Sequence, residues 1–178
     1  MAHWNIDPDH SVAGFSIRHM MVTDIRGTIT GITGTITFDP GAEEQSSVEA
    51  SMPLSGLTTG NKKRDEHLYS ADFFDTQKFP SITFRSTKVQ KTGSNRATVT
   101  GELTIHGVTK TVSMDAEYFG PLKSPAEIGG ETVMGFSGSL SINREDFGIM
   151  WNVPLGGSDL MVGREVLITL DIEADLGG

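Results

Sequence analysis

The feature that most constrains this chain is an apolar–polar alternation of period two that recurs along its whole length. From Ser11 to His19 one face reads Ser11, Ala13, Phe15, Ile17 and His19, with Gly14, Ser16 and Arg18 between them. Successive strand side chains point to opposite faces, so this pattern marks a strand with one face buried. Val48–Leu54, Ile82–Ser86, Ala97–Ile105, Val108–Tyr118, Met134–Ile142 and Val162–Ile172 repeat it. Ile25 to Phe38 adds a phase reversal: Ile25 and Ile29 share one phase, and Ile32, Ile36 and Phe38 the other, with Gly31 at the changeover. A flip at a glycine predicts a bulge or sharp bend that curves a sheet towards closure. Unbroken, the segment spans roughly 45 Å at ~3.3 Å per residue. About eight strands with short turns follow, one turn being the tight hairpin Ile105-His106-Gly107-Val108.

Composition agrees with an all-β chain: Thr, Val and Ile supply 43 residues and glycine 21. No shift in composition divides the 178 residues, so one domain is expected over residues 1–178. A net charge of −9 argues against nucleic acid, whose binders rely on Lys and Arg. The lack of cysteine excludes disulfides, thiol nucleophiles and zinc–thiolate sites. No apolar run approaches the ~18–20 residues of a membrane-spanning helix. The first residues have neither a basic nor an apolar signal region, so the expected compartment is the cytoplasm, or the periplasm if a leader has been removed.

One stretch breaks the β pattern. Gly60 to Tyr69 is rich in helix-compatible residues, with Asn61 placed as N-cap and Arg64, His67 and Leu68 on one face. A short helical segment is expected near residues 61–79, where Phe73, Phe74 and Phe79 suit either a lid over a barrel mouth or a small core under a loop. Arg144 to Trp151 is a second irregular segment.

Catalytic motifs fail. Gly135-Phe136-Ser137-Gly138-Ser139 lacks the glycine that a nucleophile elbow needs two residues after its serine, and it lies within an alternating strand. There is no phosphate-binding glycine loop, and the five histidines show no metal-ligand spacing. Neither cofactor nor metal is implied, and binding is favoured over catalysis. The small inward residues Ala13, Gly101 and Gly138 leave two readings open: close packing of opposite walls, or room for a ligand.

Five blocks then appear in order: Trp4-x-Ile6-Asp7-x-x-His10-Ser11 with Phe15-x-Ile17-x-His19; Arg64-Asp65-x-His67-Leu68 with Asp72-Phe73-Phe74-Asp75; Phe79-Pro80-x-Ile82-x-Phe84-x-Ser86; Gly101-x-Leu103-Thr104-Ile105-x-Gly107-x-Thr109-Lys110; and Arg144-x-Asp146-Phe147-Gly148. Together they resemble the YceI-like family over Trp4 to about Glu173. The resemblance implies an extended eight-stranded antiparallel lipocalin-like barrel with a long apolar tunnel. It also implies a polyisoprenoid, isoprenoid-quinone-type or related amphiphilic lipid as ligand, and a homodimer. On that reading the candidate lining is Phe15, Ile17, Met52, Phe73, Phe74, Phe84, Leu103, Phe136, Leu140, Met150, Trp151 and Ile168. His19, Arg64 and His67 are the candidate donors to a polar head group, with pairing to Asp72 or Asp75 as the alternative for Arg64. Two other functions stay open: binding of shorter amphiphiles such as fatty acids or amides, and a His-dependent enzyme centred on His19 or His67.

Overall fold

The computed structural model describes residues 1–177. Its elements are β1 (His3–Ile6), β2 (Val12–His19), β3 (Thr23–Thr30), β4 (Thr33–Thr37), β5 (Ser47–Pro53), β6 (Leu57–Thr58), helix α1 (Lys62–Tyr69), β7 (Ser81–Lys91), β8 (Arg96–Ile105), β9 (Val108–Lys123), β10 (Thr132–Asn143), the small hairpin β11 (Pro154–Gly156) and β12 (Asp159–Leu160), and β13 (Val162–Leu176).

The sheet runs β1-β4-β5-β7-β8-β9-β10-β13, and β13 returns to β1 to close the ring. β13 gives its far end to β1 (Ala174 opposite Ile6) and its near end to β2 (Val166 opposite Ile17). Thus β1 and β2 are two parts of one long staves-like strand, and β3 and β4 are parts of the next. Counted so, the barrel has eight antiparallel strands. Closure removes the exposed sheet edges that would otherwise invite aggregation.

Local sequence explains the turns. Gly31, at φ +76°, makes the sharp bend expected at the phase reversal and separates β3 from β4. The β8–β9 turn places His106 and Gly107 at φ 53° and 73°, the left-handed pair of a type I′ hairpin. α1 starts where expected, with Asn61 Oδ1 accepting from the Arg64 amide at 3.0 Å. It ends sooner than expected: after Tyr69 the chain turns back, with the Phe74 amide donating to Leu68 O at 2.9 Å. Residues 70–79 are turns, not helix.

The alternation sorts side chains as it should. On β9, Met114 is buried whereas Thr109, Thr111, Ser113 and Asp115 are exposed. An apolar interior and polar exterior invert the arrangement of a transmembrane barrel, whose apolar band faces lipid. Among the described residues no helix is long and apolar enough to cross a membrane.

The two ends differ. At one, Trp4, Phe38 and Met134 are buried, Trp4 Nε1 donates to Phe38 O at 3.0 Å, and Phe38 meets the rings of Tyr118 and Phe136 edge-on at 4.7 and 5.5 Å. Beside them the buried Glu43 carboxylate accepts from Lys91 Nζ at 2.9 Å and Tyr118 Oη at 2.7 Å. Those hydrogen bonds, Lys91 first, hold its pKa down to about 2. α1 lies at the opposite end.

Candidate ligand lumen

Between these ends the barrel encloses a cavity of about 400 Å³, within the usual range of small-molecule sites. Its wall is built almost wholly from the inward phase of the strands: Ala13, Phe15 and Ile17 on β2, Val48, Ala50 and Met52 on β5, Val99 and Leu103 on β8, Phe136 and Leu140 on β10, and Val166, Ile168, Leu170 and Ile172 on β13. Two rings are folded flat against this wall. Phe15 lies against Gly27, its cross-strand partner on β3, and Phe84 against Gly101; a Cβ would sit closer than van der Waals contact to the Phe15 ring at Gly27, and to both the Phe84 ring and Arg85 O at Gly101. Gly101 therefore makes room for a neighbouring ring, which in turn keeps the lumen clear. Gly138 has only ordinary contacts, with Met114 and Leu170.

Fourteen of the fifteen candidate site residues line this cavity: Phe15, Ile17, His19, Met52, Arg64, His67, Phe73, Phe74, Phe84, Leu103, Phe136, Leu140, Trp151 and Ile168. Met150 does not. It is 59% exposed, and the buried Ile149 takes the inward position instead. The left-handed turn at Gly148 resets the phase there, which no period-two pattern can foresee. Phe79 also lies apart from the lumen, packed against the His106 ring at 4.9 Å.

The α1 end is open and polar. Asp65, buried at the root of the helix, accepts from Thr58 Oγ1 and the Thr59 amide, both at 2.9 Å, and so ties α1 to the strand before it. Burial pushes the Asp65 carboxyl up, but the hydrogen bonds from Thr59 and Thr58 and the nearby Arg64 charge outweigh it and leave the pKa lowered. Arg64 is held by Thr59, with Nε donating to Oγ1 at 2.7 Å and Nη2 to the carbonyl at 2.9 Å. Neither Asp72 nor Asp75 is its partner. Asp72 meets His67 Nε2 at 2.8 Å, and Asp75 meets Lys78 at 3.2 Å. The His67 ring stands edge-on to Phe73 and Trp151, at 5.0 and 4.8 Å, so three rings cover part of the mouth. Of the two readings of the Phe-rich segment, Phe73 and Phe74 follow the lid and Phe79 the satellite core.

Sequence reasoning missed Arg144. This residue is 4% exposed and lines the lumen. Its Nε donates to Gly163 O at 2.7 Å, Nη1 to Ile149 O at 2.8 Å, and Nη2 to Val162 O at 3.4 Å. The register of β13 against β2 slips between Val162 and Val166, and Arg144 takes carbonyls that this bulge leaves without strand partners. A guanidinium has five N–H donors, so two remain. Burial lowers its pKa, partly offset by the nearby Glu145 charge, and among the described residues no carboxylate forms a salt bridge with it. The signal was present as an arginine heading an irregular segment, but its burial depends on a bulge about 20 residues away.

Arg18, His19, Arg64, His67 and Arg144 supply the lining's ionisable groups, and no Asp or Glu is among them. In a chain of net charge −9, the acidic excess is entirely outside the lumen. Asp7, His10 and Glu173 do converge, but on the outer corner between β1 and β2.

A closed antiparallel barrel around an apolar lumen, with a helix and aromatic rings over one mouth, is a lipocalin-like architecture. The model of the YceI-like domain matches residues 4–174, and the chain belongs to the YceI-like family. A UPF0312 protein of Pseudomonas putida (strain W619) is 38% identical over 150 residues, covering 83% of this chain and 77% of the relative. The crystal structure of Burkholderia cenocepacia BcnA superposes with a TM-score of 0.81 at 23% identity, covering 94% of this chain and 98% of that one. A polyisoprenoid binding domain from Saccharophagus degradans superposes with a TM-score of 0.72 at 12% identity, covering 99% and 100%. These two likenesses concern the fold.

Proposed function

We propose that the lumen binds one long-chain amphiphilic lipid, of the polyisoprenoid or isoprenoid-quinone type, and holds it for transport or storage without chemical change. The observation that carries this reading is the division of the lining: a wall of apolar side chains with cations and histidines, and no carboxylate, gathered at one mouth. An isoprenoid chain has no hydrogen-bonding groups, so its binding rests on apolar area removed from water, about 25 cal/mol per Å². Its polar end needs donors, and His19, Arg64, His67 and Arg144 supply them where the lumen opens. The similarity in fold to a polyisoprenoid binding domain supports the same class of ligand.

The sealed Trp4–Phe38 end favours a second reading, because it bounds how much chain fits inside. A fatty acid or amide would occupy the lumen with its head at the same donors. Native mass spectrometry of the protein purified from its own host separates the two by the mass of the retained ligand. Replacing Phe15 or Phe136 with Arg places a charge in the apolar wall, and folded variants should lose binding of either lipid by more than about 100-fold. Unchanged affinity in a folded variant would remove the lumen as the site. The family resemblance adds a second copy of the chain as a partner, to be read by light scattering.

A further inference from the structure

Two hairpins stand side by side at the open mouth, and both display apolar side chains to solvent. The β2–β3 turn exposes Met20, Met21 and Val22 at 39, 52 and 78%. The segment carrying β11 and β12 exposes Met150, Val153 and Leu155. They are joined by main-chain hydrogen bonds, Met20 N to Met161 O at 2.8 Å and Met161 N to Val153 O at 2.9 Å. Met161 and Trp151, on the same segment, line the lumen, so the exposed apolar surface continues directly into the cavity wall.

The β2–β3 turn is chemically odd. Met20 and Met21 have φ 52° and 59°, two consecutive left-handed residues in the three-residue loop between the paired His19 and Thr23, and the Val22 amide donates to His19 O at 3.1 Å. Such turns favour Asn and Gly, because left-handed backbone strains residues with a bulky side chain. The β8–β9 hairpin meets the same demand with Gly107. Here two methionines occupy both strained positions, 39 and 52% exposed and part of neither the core nor the lumen wall, so core packing does not account for them. α1, whose Arg64 and His67 face the lumen at this end, also presents exposed Lys62 and Lys63.

We infer that this rim docks the barrel, mouth first, on the surface of a lipid bilayer. Resting on the reading of the lumen as a lipid site, docking lets a chain pass between membrane and cavity without crossing water. Methionine suits the task, since its flexible thioether adapts to a disordered surface. Exposed apolar side chains continuous with the lumen wall match the interfacial anchoring of peripheral proteins.

The test is flotation with phosphatidylcholine vesicles, with and without 30% phosphatidylglycerol. It is paired with uptake of a fluorescent fatty acid delivered from ethanol, and uses the whole chain and two variants. Wild type floats on both vesicles. The triple variant Met20→Asn, Met21→Gly, Val22→Ser, which suits the turn, should lose vesicle binding at least about tenfold, as should Val153→Ser with Leu155→Ser. Both variants should take up the probe from solution as wild type does. Wild type that takes up the probe but stays unbound to either vesicle overturns the docking surface, and so do variants that float unchanged. A rim substitution that dissociates a dimer without altering flotation assigns the patch to a second copy and overturns it too. Flotation without probe uptake retains the docking surface and rejects the lumen reading instead.

Discussion

At the Trp4 end the buried carboxylate Glu43 meets an ammonium and a phenol, and four aromatic rings with Met134 fill the bore. At the α1 end the buried cation Arg144 meets only carbonyls, the rings stand around the opening, and methionines face solvent on a strained turn. Both ends finish the same eight strands, so strand pairing cannot explain the contrast. The sealed end has its charges neutralised and its area buried within the chain, as a stability element should. The open end leaves two Arg144 N–H donors, exposed apolar surface and backbone strain that no packing in the chain accounts for, which is the expected mark of a region shaped by what it binds.

The largest effect should come from opening the sealed end. Phe38→Ala removes the ring that Tyr118 and Phe136 pack against and should lower unfolding free energy by about 3–5 kcal/mol in urea titration. If the site collapses less than fully, the lumen lengthens and longer amphiphiles should bind relatively better. A loss below about 1 kcal/mol would show that this end is not the structural one.

Glu43→Gln probes the same end through charge. In the folded protein the carboxyl has a pKa of about 2, below its ordinary 4.5. A lowered acid stabilises the fold fully above its unfolded pKa, and the contribution fades as pH falls from about 4.5 through about 2. With a discount for the solvent-exposed Lys91, the variant should be roughly 2 kcal/mol less stable at pH 7. Its gap to wild type should narrow as the pH of the urea titration approaches 2.5. A gap independent of pH would mean that Glu43 acts by packing alone.

Much of this geometry was legible from residues. Period-two phase assigned Phe15, Met52, Leu103 and Leu140 to the interior, and the reversal at Gly31 located the break between β3 and β4. Helix-face spacing brought Arg64, His67 and Leu68 to the lumen together. What escaped depended on contacts between distant segments. Met150 and Ile149 exchange places because Gly148 interrupts the phase, and Arg144 is buried because β13 bulges opposite β2. That Gly101 seats the Phe84 ring is a cross-strand fact, invisible in either strand alone.

The lumen wall connects the ends, and Gly27→Ala tests how its space is kept. A methyl there meets the Phe15 ring and the Thr58 carbonyl, so the ring must shift. Overpacking should cost roughly 1–2 kcal/mol in the same titration. Capacity for a bulky amphiphile should fall more than capacity for a thin one, read by competition with the fluorescent probe. Equal losses for both would place Phe15 as general packing and not as the wall's gauge.

The smallest effect has the opposite sign. Met20→Asn with Met21→Gly replaces two methionines at left-handed backbone positions with residues that adopt that conformation at little cost. Neither methionine lines the lumen, and the second is half exposed, so little packing is lost. Relief of left-handed strain should stabilise the protein by about 1 kcal/mol, against the losses expected at the sealed end. The glycine also widens the unfolded ensemble, which trims the gain. Measured stabilisation would mean that the native turn forgoes stability at the mouth, where exposed methionines serve contact with something outside the chain. A loss of 1 kcal/mol or more would instead make the Met20–Met21 pair a packing element like Phe38, and the contrast between the two ends would disappear at this position.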